Sequence, residues 1–211
     1  MLSKFINQGY IHLEQVIPQE LLKEVRSRCI KLGIKHKPLK GTPRDNGSGI
    51  FWEGVELAST LDPDLWKVYT SKFMFDLTKK YLQNEKIFLY NDQVVVKLPN
   101  EDLFFGSHYD NQYCVDPEGA LKGDFKTINF CWILTNMPEE TGPLSCFNNK
   151  TQQYDLVEAK AGDIIVLDGN TKHSSTLNKS DKIRAIYACV YSTQAIGNFL
   201  KGYYNEEFIY L

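Results

Sequence analysis

Gly162-Asp163-Ile164-Ile165-Val166-Leu167-Asp168-Gly169-Asn170-Thr171-Lys172-His173 reads as a β-run, a tight turn, and a histidine that opens another strand. The same texture extends outward over most of the chain from residue 86. Candidate strands are 87–90, 93–98, 104–110, 127–135, 144–147, 154–157, 163–167, 172–177 and 183–191. Turn residues such as Pro99-Asn100, Gly142-Pro143 and Asn148-Asn149 separate them. Many short strands with no helices between them imply a sandwich or barrel, not a parallel α/β sheet. The expected architecture is mainly β, a jelly roll preceded by helices that brace one face.

Those helices belong to residues 1–85. Pro18 stands where a helix can start, and Leu21, Leu22, Val25, Cys29, Ile30 and Leu32 recur at helical spacing before Gly33, which the pattern takes as the stop. A second helix is expected from about Pro63, with Leu65, Trp66, Tyr69, Phe73, Leu77 and Tyr81 on one side. Residues 36–54 are rich in Gly, Pro, Asn and charge and read as a long loop. No repeat or linker divides the 211 residues, so one domain is expected over 1–211.

Composition excludes little. The chain is 43 % hydrophobic and 24 % charged with a formal net charge of −2, so no global field points to nucleic acid or an anionic membrane. No stretch approaches the roughly 20 apolar residues of a spanning helix. The five scattered cysteines form no Cys-x-x-Cys pair and suit a reducing, cytoplasmic setting. One local excess stands out. Lys23, Arg26, Arg28, Lys31, Lys35, Lys37, Lys40 and Arg44 face Glu24 alone, which suits either a solvated helix face or an anionic or carrier-linked substrate.

His108-Tyr109-Asp110 closes a candidate strand. Residues two apart in a strand share a face, about 6.6 Å apart, so the imidazole and the carboxylate can converge on one metal. A second histidine would complete a 2-His-1-carboxylate triad, which leaves positions open on iron. Alone the motif is weak, since Asp and Glu fill 26 of 211 positions. His173 with Arg184 eleven residues later is sharper, because only four arginines occur in the chain. A guanidinium offers a planar fork that grips a carboxylate bidentately and stays protonated when buried. The turn at 178–181 should set His173 and Arg184 at comparable depth. Ser175 shares the face of His173 and has a hydroxyl to offer the same carboxylate. As the bland alternative, Arg184 is a structural ion-pair partner. Tyr90, Phe104, Phe105, Tyr109, Tyr113 and Trp132 are candidate pocket walls or simply core. His12 and His36 lack ligand spacing and take no role.

The segments Phe5–Ile11, Gly106–Asp110, Trp132-Ile133-Leu134, Glu140–Leu144, and His173 through Asn178, Ser180 and Arg184 together resemble the phytanoyl-CoA hydroxylase-like family. The resemblance spans nearly the whole chain. It implies a double-stranded β-helix with iron(II) held by His108, Asp110 and His173, and 2-oxoglutarate held by Arg184 and Ser175. Lys97 matches a position where such enzymes often place a lysine near the co-substrate, and Trp132 matches the tryptophan of the family's central strand. The implied reaction is oxidation of a C–H bond by dioxygen, with release of succinate and carbon dioxide, on a small or carrier- or CoA-linked substrate. A carboxylate at Asp110 favours hydroxylation over halogenation. Two departures, Phe147-Asn148-Asn149 in place of Pro-Gly-Ser-His and Tyr109 in place of a common glutamine, bear on the substrate, for which Tyr109 and Trp132 are the candidate residues. The rival expectations are a catalytically silent jelly-roll binding or regulatory protein, and a cupin-type metalloenzyme that uses no oxo acid.

Overall fold

The computed structural model describes residues 1–36, 55–113 and 125–195. The candidate loop from residue 37 onward, Lys37, Lys40 and Arg44 fall outside them. Five helices precede or brace the β-structure: α1 (Leu2–Gln8), α2 (Gln19–Lys35), α3 (Ala58–Leu61), α4 (Pro63–Tyr69) and α5 (Lys72–Leu82). Ten strands follow the order β1 (Tyr10–Leu13), β2 (Val55–Glu56), β3 (Phe88–Lys97), β4 (Phe105–His108), β5 (Thr127–Ile133), β6 (Leu144–Asn148), β7 (Gln153–Val157), β8 (Ile164–Asp168), β9 (His173–Ser175) and β10 (Arg184–Ser192). They make a six-stranded sheet, β1-β8-β5-β10-β3-β2, and a four-stranded sheet, β4-β9-β6-β7. Every strand pairing among the described residues is antiparallel. This is the jelly roll that the strand pattern called for. No described helix is long and apolar enough to cross a membrane.

Strand alternation divides the six-stranded sheet between two cores. Phe130, Trp132, Ile164, Val166, Val94, Val96, Tyr187 and Cys189 face the helices. Cys131, Ile133, Ile165, Leu167, Ile186 and Ala188 face the smaller sheet together with Leu144 and Cys146. The run Ile164–Leu167 is therefore apolar throughout because both its faces are covered. Each such fully buried large side chain contributes about 1.5–3 kcal/mol of transfer free energy.

Three local readings are corrected by tertiary contacts. Gly33 does not end α2, which runs on to Lys35. A Cβ at residue 33 would lie 2.4 Å from Cγ2 of Val96, so the glycine is there to let the helix approach β3. The expected second helix is two helices, because Ser71 caps α5 by accepting from the backbone N–H of Met74 at 3.3 Å. The two strands expected at 87–90 and 93–98 are one, β3. Its polar middle is buried rather than turned to solvent. Asp92 accepts hydrogen bonds from the Ser59 backbone N–H, the Ser59 hydroxyl and the Tyr187 hydroxyl, each at 2.8 Å.

The basic run on α2 is partly neutralised. Arg28 pairs with Glu24, Asp62 and Asp64, and Lys23 with Glu20. That favours the solvated-face reading for the described part of it.

Candidate metal centre

The site lies between the sheets, where β4 and β9 run side by side. Their register sets His108 directly opposite His173, with ring centroids 4.3 Å apart. Each ring is held by its own strand end. Nδ1 of His108 lies 2.8 Å from the Gly106 carbonyl, and Nδ1 of His173 lies 3.0 Å from the Thr171 carbonyl. A proton on each Nδ1 makes both hydrogen bonds and puts the lone pair of each ring on Nε2, which is the tautomer a metal needs. Burial, and secondly the neighbouring His173, hold His108 below the usual imidazole range, which favours the same neutral form.

Asp110 does not continue the strand, as its spacing from His108 had suggested. β4 stops at His108, and Asp110 opens a short 3₁₀ turn, Asp110–Tyr113. That turn is anchored on the Asp168-Gly169-Asn170 corner that leads from β8 to β9. The Asn111 N–H donates to the Gly169 carbonyl at 2.9 Å, and Nδ2 of Asn111 donates to Oδ1 of Asn170 at 2.9 Å. A Cβ at residue 169 would meet Asn111 Oδ1 at 2.6 Å and Thr127 Oγ1 closer still, so the corner requires glycine. Both histidines and the aspartate are thus fixed by one corner of the barrel.

Among the described residues, His108, Asp110 and His173 are the group of side chains able to hold a metal ion, with ligand atoms all within 4.8 Å of one another. Oδ1 of Asp110 lies 3.8 Å from Nε2 of His173. Its other oxygen, Oδ2, accepts from Nδ2 of Asn129 at 3.0 Å. Asn129 is 3 % exposed and points inward from β5. It escaped the sequence reading, although a polar residue at inward parity in an apolar strand was the available signal. Asn129→Ala is expected to weaken Mn(II) or Fe(II) affinity about 10- to 100-fold with the fold intact, as loss of a ligand-orienting partner does. Chelator competition would measure it, and an unchanged affinity would show the hydrogen bond to be incidental.

A cavity of about 60 Å³ runs from this cluster to Arg184. Gln93, Phe105, Asn129, Cys131, Ser175, Arg184 and Ile186 are among its walls. Arg184 is 1 % exposed, and its Nε and Nη2 are buried with no hydrogen-bond partner among the described residues. Burial pushes its pKa down to about 10, so the guanidinium remains charged at neutral pH. The ion-pair alternative for Arg184 therefore lacks its acid among the described residues. A buried cation with two idle donors is costly unless an anion joins it. Gln93, likewise missed from sequence, carries a buried Oε1 without a partner on the same wall.

The remaining candidates divide. Ser175 lines the cavity and accepts from Nζ of Lys97 at 2.8 Å. Lys97 is fully buried behind that wall, opposite Arg184 on the adjacent strand. Trp132 does not reach the cavity. Odd positions of β5 face inward, so Cys131 takes the wall and Trp132 turns to the helices, its Nε1–H donating to Sδ of Met74 at 3.3 Å and its ring edge-on to Phe73. Tyr109 is half-buried and is not part of the cavity wall. Of the aromatic candidates, Phe105 lines the cavity and Phe104 is exposed. His12 is satisfied by Asp163 at 2.7 Å, and His36 ends α2.

No family model matches the sequence, and no curated protein matches it. Solved structures do. The non-haem alpha-ketoglutarate-dependent carbocyclase SnoK from nogalamycin biosynthesis superimposes with a TM-score of 0.76 at 19 % identity, over 95 % of this chain and 88 % of that one. The epimerase SnoN, in complex with Fe3+, alpha-ketoglutarate and nogalamycin RO, gives 0.72 at 16 % identity over 90 % and 81 %. EctD from S. alaskensis, with 2-oxoglutarate and 5-hydroxyectoine, gives 0.72 at 16 % identity over 90 % and 74 %. At these identities the likeness is one of fold: the chain has the jelly-roll architecture of non-haem, 2-oxoglutarate-dependent enzymes.

Proposed function

We propose that this chain is a non-haem iron(II)- and 2-oxoglutarate-dependent oxygenase that hydroxylates a C–H bond of a small molecule, with release of succinate and carbon dioxide. The observation that carries the reading is the pairing in one cavity of the His108, Asp110 and His173 cluster with a fully buried guanidinium that has no anion among the described residues. Metal binding alone has no use for the second feature. The structural neighbours, several of which were solved with iron or 2-oxoglutarate, support the same reading.

His108, Asp110 and His173 would hold the iron on one side, leaving positions open for the oxo acid and dioxygen. Iron and oxo acid, when bound, supply the activation of dioxygen and the oxidation of the C–H bond, chemistry beyond any side chain. The residues of the chain do the rest. Arg184 binds the distal carboxylate as a two-pronged donor, and the Ser175 hydroxyl donates to it from the neighbouring strand. Asn129 orients Asp110. The apolar walls formed by Phe105, Ile186 and Ala188 exclude water from the reacting end. Four buried free cysteines support a reducing, cytoplasmic setting.

The test is spectroscopic. Apo-protein given iron(II) and then 2-oxoglutarate without oxygen is expected to develop a weak charge-transfer band in the green. Iron binding without the band would remove 2-oxoglutarate from the assignment and leave a cupin-type metalloprotein. No iron binding at all would leave the silent jelly-roll reading.

A further inference from the structure

Lys97 has an environment that co-substrate binding must change. It is 0 % exposed and sits in register with Arg184 on the next strand, which is 1 % exposed. Two side chains able to carry a positive charge are thus buried side by side, and neither forms an ion pair within the described structure. Nζ of Lys97 donates to Oγ of Ser175 at 2.8 Å and to the Thr176 carbonyl. A neutral amine has two N–H bonds, and both are used. An ammonium would add a third N–H with no acceptor among the described residues, and a full charge that the Phe105 ring at 5.5 Å and Glu101 favour but burial and Arg184 oppose. The co-substrate-free pocket therefore suits the neutral form. Burial first, then the charge of Arg184, pushes the Lys97 pKa down to about 6, with Glu101 pulling the other way.

The Ser175 end of this contact points toward the site. Because its oxygen accepts from Lys97, the hydroxyl proton of Ser175 is free to donate into the cavity, which Ser175 lines. A carboxylate resting on Arg184 and Ser175 places a negative charge one hydroxyl away from Lys97. At about 5 Å and an effective dielectric of about 20, that charge favours the ammonium by roughly two- to three-hundredfold.

We propose that Lys97 takes up a proton from solvent when a carboxylate docks on Arg184 and Ser175, so that co-substrate binding is proton-linked. The inference rests on the 2-oxoglutarate reading above and adds a positioning residue that acts through Ser175. The charged and titratable groups around Lys97 are few. Among the described residues, Arg184 faces it from β10 and Glu101 from the turn after β3, while β9 offers the Ser175 hydroxyl, the residue after β9 the Thr176 carbonyl, and β4 the Phe105 ring at 5.5 Å. Cys131, near Arg184, has its thiol pushed up to about 12 by burial and stays protonated in the working range. His108, Asp110 and His173 are held deprotonated once a metal is loaded.

The sign is fixed by which state holds more protons. Between pH about 6 and roughly two to three units higher the complex holds one more proton than the free protein, so affinity is flat below that window, falls toward tenfold per pH step within it and levels off above it. Titrating 2-oxoglutarate into the Mn(II)-loaded protein at about pH 7.5, in two buffers of different ionisation enthalpy, reads the proton directly. The expected result is uptake of most of one proton per 2-oxoglutarate, absent in Lys97→Met and in Lys97→Gln, whose affinities should no longer vary with pH. Buffer-independent heat in the parent protein, or uptake that survives in both variants, overturns the role of Lys97 and leaves the co-substrate reading standing. No binding to the Mn(II)-loaded parent overturns both.

Discussion

Arg184→Ala is expected to weaken 2-oxoglutarate binding at least about 30-fold while leaving metal affinity close to that of the parent protein. The guanidinium is desolvated before the co-substrate arrives, so most of its hydration cost is already borne by the folded chain. A bidentate, charge-assisted contact in such a setting is worth about 2–5 kcal/mol, a loss of roughly 30- to several thousandfold in affinity. The same reasoning predicts an opposite effect on the empty protein. Arg184→Met removes a buried cation with two partnerless nitrogens, and its melting temperature without 2-oxoglutarate should equal or exceed that of the parent. The stabilisation that saturating 2-oxoglutarate gives the parent should vanish in both variants. Calorimetric titration and thermal melts with and without 2-oxoglutarate read both effects. Parent-like affinity in Arg184→Ala would mean that the co-substrate binds elsewhere.

Asp110→Ala should cost at least as much at the other end of the cavity. It removes the only anionic member of the cluster and leaves two neutral imidazoles to hold a dication. Metal affinity is expected to fall by about a hundredfold or more, and succinate formation to fall to background. His108→Ala and His173→Ala should give the same loss of turnover, because the two rings face one another and neither has a substitute among the described residues. Succinate release at the parent rate from any of the three would exclude this cluster as the catalytic metal site.

The strand texture was legible because the jelly roll writes itself locally: Ile164–Leu167 is apolar on both parities, and Asp168-Gly169-Asn170 can only turn. The eleven-residue offset from His173 to Arg184 was legible for a related reason. β9 lies in one sheet and β10 in the other, and Asn178 fixes the crossing by donating to the carbonyls of Leu98 and Lys182 at 2.9 and 2.7 Å. What failed to show was whatever depended on a distant partner. Gly33 looks like a stop until Val96 is seen beside it. Asn91-Asp92 looks like a turn until Ser59 and Tyr187 are seen around Asp92. Trp132 looked like a candidate pocket wall as an aromatic in a core strand, whereas its parity relative to Cys131 and Ile133 assigns it to the helical side. Gln93 and Asn129 were overlooked because a lone amide in a strand carries no motif.

The placement of His108 opposite His173 has a mechanical corollary. β4 and β9 are short, and their register consists of two pairs, Phe105 with Ser175 and His108 with His173, with an irregularity between them. An ion coordinated by both histidines is therefore also a clasp on that seam, tethering two points far apart in the chain and shrinking the conformations open to the unfolded polypeptide. Cofactor loading and the integrity of this edge of the barrel become one equilibrium, so the sturdiness of the protein is a property of how much metal surrounds it.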